Sequence, residues 1–137
     1  MFNNKHSKPM SRIDTLIGEG TSIDGDVSFS GGMRIDGQVV GNVIAVQDKP
    51  ATLVLSERAR ITGEVRVTHL VVNGTISGPV TASEYLELQN KAKVAGDVHY
   101  KTLEIHLGAI VEGRLIHVNT PAAAQEKVVA LKVSAGE

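Results

Sequence analysis

Aliphatic and polar side chains alternate along most of this chain, and glycine breaks the alternation at near-regular intervals. The alternation is clear at Leu53 and Leu55, at Ile61, Val65 and Val67, at Leu86 and Leu88, and at Leu103, Ile105 and Leu107. A period of two sends one set of side chains inward and the other to water, so each run predicts a short β-strand. The stretch RIDGQVVGNV, residues 34–43, keeps that spacing at Ile35, Val39 and Val43 yet carries Gly37 and Gly41 within it. Glycine weakens a strand interior, because it costs backbone entropy and brings no side chain to pack. Its repeated presence predicts short strands that end at sharp corners.

The interruption is itself periodic. An aliphatic residue, any residue, glycine, any residue and a second aliphatic recur at Ile23-Gly25-Val27, Ile35-Gly37-Val39, Ile61-Gly63-Val65, Val72-Gly74-Ile76, Val94-Gly96-Val98 and Val111-Gly113-Leu115. Two copies are doubled, with Gly41 before Val43 and Gly78 before Val80. One glycine per unit, at Gly25, Gly41, Gly63, Gly78, Gly96 and Gly113, gives steps of 16, 22, 15, 18 and 17 residues. The long step holds VQDKPAT, Val46 to Thr52, whose Asp-Lys-Pro predicts an inserted loop. Units this short exclude ankyrin or tetratricopeptide helices, which need about 33 residues. Sandwich strands do not recur at a fixed interval of this kind.

The remaining arrangement is an all-β parallel β-helix, each coil built from three short faces and stacked about 4.8 Å above the last. About six coils make a rod roughly 29 Å tall. The glycines Gly25, Gly37, Gly41, Gly63, Gly74, Gly78, Gly96 and Gly113 are then structural corners, where positive φ is cheap only for glycine. Handedness is not visible in the spacing. Ile17, Ile23, Phe29 and Ile35 are six apart, as in left-handed hexapeptide-repeat transferases, but those place a small residue directly after the aliphatic.

Composition narrows the picture. With 3% aromatics and no tryptophan, the core is built from Val, Ile, Leu and Ala, which suits a narrow interior. A net charge of −1 over 137 residues gives no electrostatic reason to expect nucleic acid. Cysteine is absent, which excludes disulfides and thiolate metal sites. The opening MFNNKHSKPM lacks the apolar run of a secretory signal, and no stretch approaches the roughly 18 apolar residues of a membrane span, so the cytoplasm is the expected compartment.

Catalytic chemistry finds little support. No phosphate-binding loop is present, since Gly31-Gly32-Met33-Arg34 lacks the lysine and the spacing, so no nucleotide or other cofactor is expected. His6, His69, His99, His106 and His117 show no helical metal spacing, so no metal site is expected. Asp24, Asp26, Asp36, Glu64, Asp97 and Glu112 flank the glycines, and their simplest reading is a solvated coil edge rather than an acid pair for glycoside chemistry. The expectation is a non-enzyme.

The succession TLIGEGTSIDGDVSFSGGMRIDGQVVGNV, ITGEV, VNGTISGPV and AKVAGDV, with short polar tails, resembles the bactofilins over about Ile13 to His117. The resemblance implies a bacterial cytoskeletal protein with a right-handed, three-faced β-helix. It implies self-assembly end to end, without nucleotide, into non-polar filaments on the inner face of the cytoplasmic membrane. It further implies roles in cell shape or polar organisation and recruitment of peptidoglycan synthases or hydrolases. The corresponding division is a membrane-targeting tail over 1–12, a β-helix over 13–117 and a flexible tail over 118–137.

The ends of such a rod carry unpaired backbone groups that solenoids normally cap. The thin N-terminal tail offers no obvious cap, and the segment after Pro121 forms at most a short weak helix over the last coil. Candidate polymerisation contacts are Ile13, Leu16, Ile17 and Ile23 at one end and Leu103, Ile105, Leu107, Val111 and Leu115 at the other. Met1, Phe2, Lys5 and Lys8 resemble the family's membrane-targeting tail. Competing readings are a hexapeptide-type acyltransferase, against which the glycine placement argues, and a non-polymerising binding module, against which the bare ends argue.

Overall fold

The computed structural model describes residues 12–118 together with the backbone of a short strand at 128–130. The chain winds into coils of three strands each. The first comprises β1 (Thr15–Ile17), β2 (Ser22–Asp24) and β3 (Val27–Phe29), and the second β4 (Gly31–Ile35), β5 (Gln38–Val40) and β6 (Val43–Ala45). The third holds β7 (Ala51–Leu55), β8 (Arg60–Thr62) and the start of β9 (Val65–Val72). The fourth runs from the rest of β9 through β10 (Thr75–Ser77) into β11 (Val80–Leu88). The remainder of β11, β12 (Lys93–Ala95) and β13 (Val98–Tyr100) make the fifth, and β14 (Leu103–Ile105), β15 (Ile110–Glu112) and β16 (Arg114–His117) the sixth.

Each strand pairs in parallel with its equivalent one coil away. The second face is a 6-stranded sheet in the order β15-β12-β10-β8-β5-β2, one strand per coil. The first and third faces form one continuous sheet, because β9 and β11 bend from one face into the next. In β11 the bend coincides with a register shift between Ala82 and Tyr85. This is the three-faced parallel β-helix that the spacing predicts, with the predicted number of coils.

Inward side chains stack on their register partners in columns. Ile23, Val39, Ile61, Ile76, Val94 and Val111 fill one column, and Val27, Val43, Val65, Val80, Val98 and Leu115 another. Ile17, Ile35, Leu55, Val72, Leu88 and Ile105 make a third. In the middle coils these residues are at most 1% exposed. Burying each such side chain contributes roughly 1.5–3 kcal/mol, which makes the columns the main favourable term in folding.

The repeat glycines occupy one corner line. A Cβ on Gly41, Gly63, Gly78, Gly96 or Gly113 would run into the carbonyl of the equivalent glycine one coil before, at Gly25, Gly41, Gly63, Gly78 and Gly96 respectively. At Gly63 the backbone also holds φ at 150°, a conformation that other residues rarely adopt. Gly37 and Gly74 lie at a different corner and lack this conformation; each is required because a side chain would meet two carbonyls of the preceding coil, Gly18 and Thr21 for Gly37. Close approach, as well as positive φ, therefore selects the corner residue. The inserted loop is present but shorter than its sequence suggests. Residues 46–50 are exposed and Asp48 takes φ 66°, whereas Ala51 and Thr52 join β7, paired with Gly31 and Gly32 and buried.

Gly63→Ala is expected to cost at least about 2 kcal/mol, from backbone strain and overpacking together. Gly18→Ala, where a Cβ meets nothing within 4 Å, should stay within about 0.5 kcal/mol of the parent. Urea unfolding midpoints of the two variants check the contrast.

Candidate functional site

The tube ends are where the repeat's own chemistry is left unfinished. At one end β1, β2 and β3 have coil neighbours on one edge alone among the described residues, and at the other end so do β14 and β15. A parallel strand with a free edge presents a row of unpaired N–H and C=O groups, a template for a further strand. Part of the apolar core thins out at the same levels. Ile23 and Val27 in the first coil, and Tyr100, Leu103 and Ile105 near the last, are only partly buried against the core. Their partners in the middle coils are sealed.

The predicted contact residues separate into three groups. Ile23, Leu103 and Ile105 point into the open ends, and Ile17 lies just inside at 6% exposure. Ile13, Leu16 and Leu107 are exposed, at 41%, 59% and 72%. Leu16 is an outward residue beside Arg34, and Leu107 stands in the turn after β14, so these two border the end faces. Val111 and Leu115 are buried in the core, at 0% and 5% exposure. The structure does not bring them to the end surface with the others.

The C-terminal segment departs from the expectation of a free or weakly helical tail over three residues. Residues 128–130 form β17 (Val128–Ala130), antiparallel to β16, with Leu115 opposite Val129. A Val-Val-Ala run suits a strand, and β16 would otherwise present a bare edge. Among the described residues the last coil is thus covered along its third face, and β14 and β15 have no further strand beside them. Met1, Phe2, Lys5 and Lys8 lie outside the described residues, and no helix among the described residues is long and apolar enough to cross a membrane.

Beside the glycine line runs a second ladder that sequence reasoning left as solvated acids. The side-chain oxygen of Asp26 accepts from the backbone N–H of Asn42 at 2.9 Å, and that of Asn42 from Glu64 at 2.9 Å. Asp97 accepts from the N–H of Arg114 at 3.2 Å and pairs with its guanidinium at 3.0 Å. The signal lay in the sequence as Asp or Asn directly after the corner glycines Gly25, Gly41 and Gly96. Arg114, first through its side chain and then through its backbone N–H, holds the Asp97 carboxyl below the usual carboxylate range. Asp14 is lowered in the same way by the Gly32 N–H and by Arg12, so charge-assisted links tie both terminal coils to their neighbours.

Comparison with known proteins bears on this architecture. A family model described as bactofilin, polymer-forming cytoskeletal, matches residues 15–116, from β1 to the last coil. Bactofilin BacP of Myxococcus xanthus (strain DK1622) is 25% identical over 116 residues, covering 84% of this chain and 47% of the relative. The chain thus spans about half the length of that relative. Bactofilin BacO of the same strain is 24% identical over 102 residues, covering 74% of this chain and 78% of the relative. No solved structure gives a significant match.

A group whose pKa is depressed by folding stabilises the fold above its unfolded value, and that contribution is lost as pH falls through the folded value. Asp97 should therefore stabilise the last coil above the ordinary aspartate value of 3.8 and lose that contribution in stronger acid. Asp97→Asn keeps the oxygen that accepts from Arg114 but carries no charge. Urea midpoints measured from pH 6 down to pH 2 should fall less steeply for Asp97→Asn than for the parent.

Proposed function

The chain belongs to the bactofilin family of polymer-forming cytoskeletal proteins, and on that premise we propose that it assembles end to end, without nucleotide, into non-polar filaments on the inner face of the cytoplasmic membrane. In this reading the filament is a scaffold for cell shape or polar organisation, and it recruits peptidoglycan synthases or hydrolases. The observation that carries the proposal is the pair of unfinished ends: among the described residues β1, β2 and β3 and β14 and β15 have a free edge, and the columns end in half-buried Ile23 and Val27 at one end and Ile105 at the other. Docking a second copy satisfies the backbone groups and completes the columns at once, and neither gain requires an energy source. No phosphate-binding loop is in the sequence to couple assembly to hydrolysis.

Membrane attachment rests on the N-terminal residues. Met1 and Phe2 would each contribute at best roughly 1.5–3 kcal/mol on burial. Lys5 and Lys8 would each add about 1 kcal/mol near anionic lipid. One tail is a weak anchor, but a filament displays many, and avidity multiplies weak binding by roughly 100-fold or more.

Negative-stain microscopy of the purified chain without nucleotide should show filaments. Ile23→Lys places a charge in the open first coil and should give monomers or short oligomers with an unchanged far-ultraviolet circular dichroism spectrum; normal filaments from it would remove this end from the contact. Leu115→Arg is the poorer probe, because Leu115 is a core residue and its loss would unfold the last coil. For the tail, Phe2→Ala should co-sediment less with anionic liposomes than the parent, and equal binding would exclude the Phe2 anchor.

A further inference from the structure

One outward cluster stands apart from the ends and from the corner ladders. Glu87 of β11 and Glu104 of β14 are register partners on adjacent coils of the first face, so two carboxylates face each other directly at strand spacing. Like charges in that position are destabilising, and the arrangement calls for a counter-charge between them. His106 supplies the third member. Its Nε2 lies 3.1 Å from Oε2 of Glu87 and 3.3 Å from Oε2 of Glu104. That nitrogen is shielded from solvent yet makes a directed hydrogen bond to neither oxygen.

Three of the four carboxylate oxygens, Oε2 of Glu87 among them, already have another hydrogen-bond partner. The Tyr85 hydroxyl is 2.7 Å from Oε1 of Glu104 and 3.4 Å from Oε1 of Glu87, and the Gln89 amide donates to Oε2 of Glu87 at 3.2 Å. Tyr85 therefore donates its one proton to Glu104 and Gln89 donates to Glu87, with Oε2 of each carboxylate beside the imidazole. Orientation of ligands by outer hydrogen bonds is the usual support of a metal site.

We propose that Glu87, Glu104 and His106 form a binding site for a divalent transition metal of the zinc class, which clamps the fifth coil to the sixth. Ligand atoms about 2.1 Å from a tetrahedral ion stand about 3.4 Å from one another. The two nitrogen-to-oxygen separations are already within a few tenths of an ångström of that edge, and all three ligand atoms fall within 4.8 Å of one another. The Nε2 atom lies close to both oxygens without a hydrogen bond to either, which leaves it free to act as a ligand. With a neutral imidazole the set carries two negative charges, which a dication cancels. One nitrogen and two oxygen donors suit zinc and its first-row neighbours better than magnesium or calcium, which favour all-oxygen shells. Partial exposure of Glu104 and His106 leaves the fourth position to water. Sequence spacing hid the site, since its ligands meet only through the coil register.

The test uses the full-length chain, freed of metal with chelator and titrated with zinc chloride by calorimetry, with cobalt as an optical probe. The expected result is one tight equivalent per chain, a tetrahedral cobalt spectrum, and a thermal midpoint raised by zinc but not by magnesium. His106→Gln and Glu104→Gln should each weaken zinc binding at least tenfold, Tyr85→Phe should weaken it less, and His117→Gln should leave it unchanged. Glu87→Gln, read alongside circular dichroism, decides should another ligand variant fail to fold. Absence of micromolar zinc binding by the parent, or parent-like binding by the folded ligand variants, overturns the site.

Discussion

Every coil of this tube must hydrogen-bond its backbone to the coil above and the coil below, through the corners as well as along the faces. That single requirement brings the chain within about 4.8 Å of itself at each level, corners included. On the faces the spacing is an advantage, because inward aliphatics meet their equivalents and form continuous columns. At the corner line it leaves no room for a Cβ. The N–H of Gly41 reaches the carbonyl of Thr62, and that of Gly63 the carbonyl of Ser77, both at 2.9 Å. Glycine at Gly63 is thus a condition of the ladder continuing. The side-chain oxygens of Asp26 and Asn42 serve the same end, by accepting from the backbone N–H groups of Asn42 and Glu64 that the coil path leaves over.

The same requirement explains why the molecule is complete in the middle and incomplete at its limits. A coil without a neighbour keeps its strands but loses half of their partners, and at Ile23, Val27 and Ile105 the apolar column ends in a half-buried residue. Two solutions are seen on one terminal coil. β17 closes the third face from within the chain, by antiparallel pairing, while β14 and β15 have no further neighbour among the described residues.

Much of this was legible in the sequence, because a short-period solenoid writes its repeat in consecutive residues. The steps from Gly25 to Gly113 give the coil number, and Asp48-Lys49-Pro50 marks the coil that carries the extra loop. What was hidden depends on register or on long-range docking. Val111 and Leu115 read as terminal apolar residues, yet they are inward members of a filled coil. The strand over residues 128–130 has too few residues to announce itself until an edge is there to receive it. Glu87, Glu104 and His106 are unremarkable until residues 17 positions apart are known to be neighbours in space.

The loop at residues 46–50 has a consequence for how the rod can be read from outside. A tube of equal windings has no landmark, so a docking molecule could slide from level to level with little change in contact. The extra residues interrupt that sameness at one height and on one flank, between the second and third coils. They convert a uniform surface into one with an address, repeated once per subunit wherever subunits are strung together.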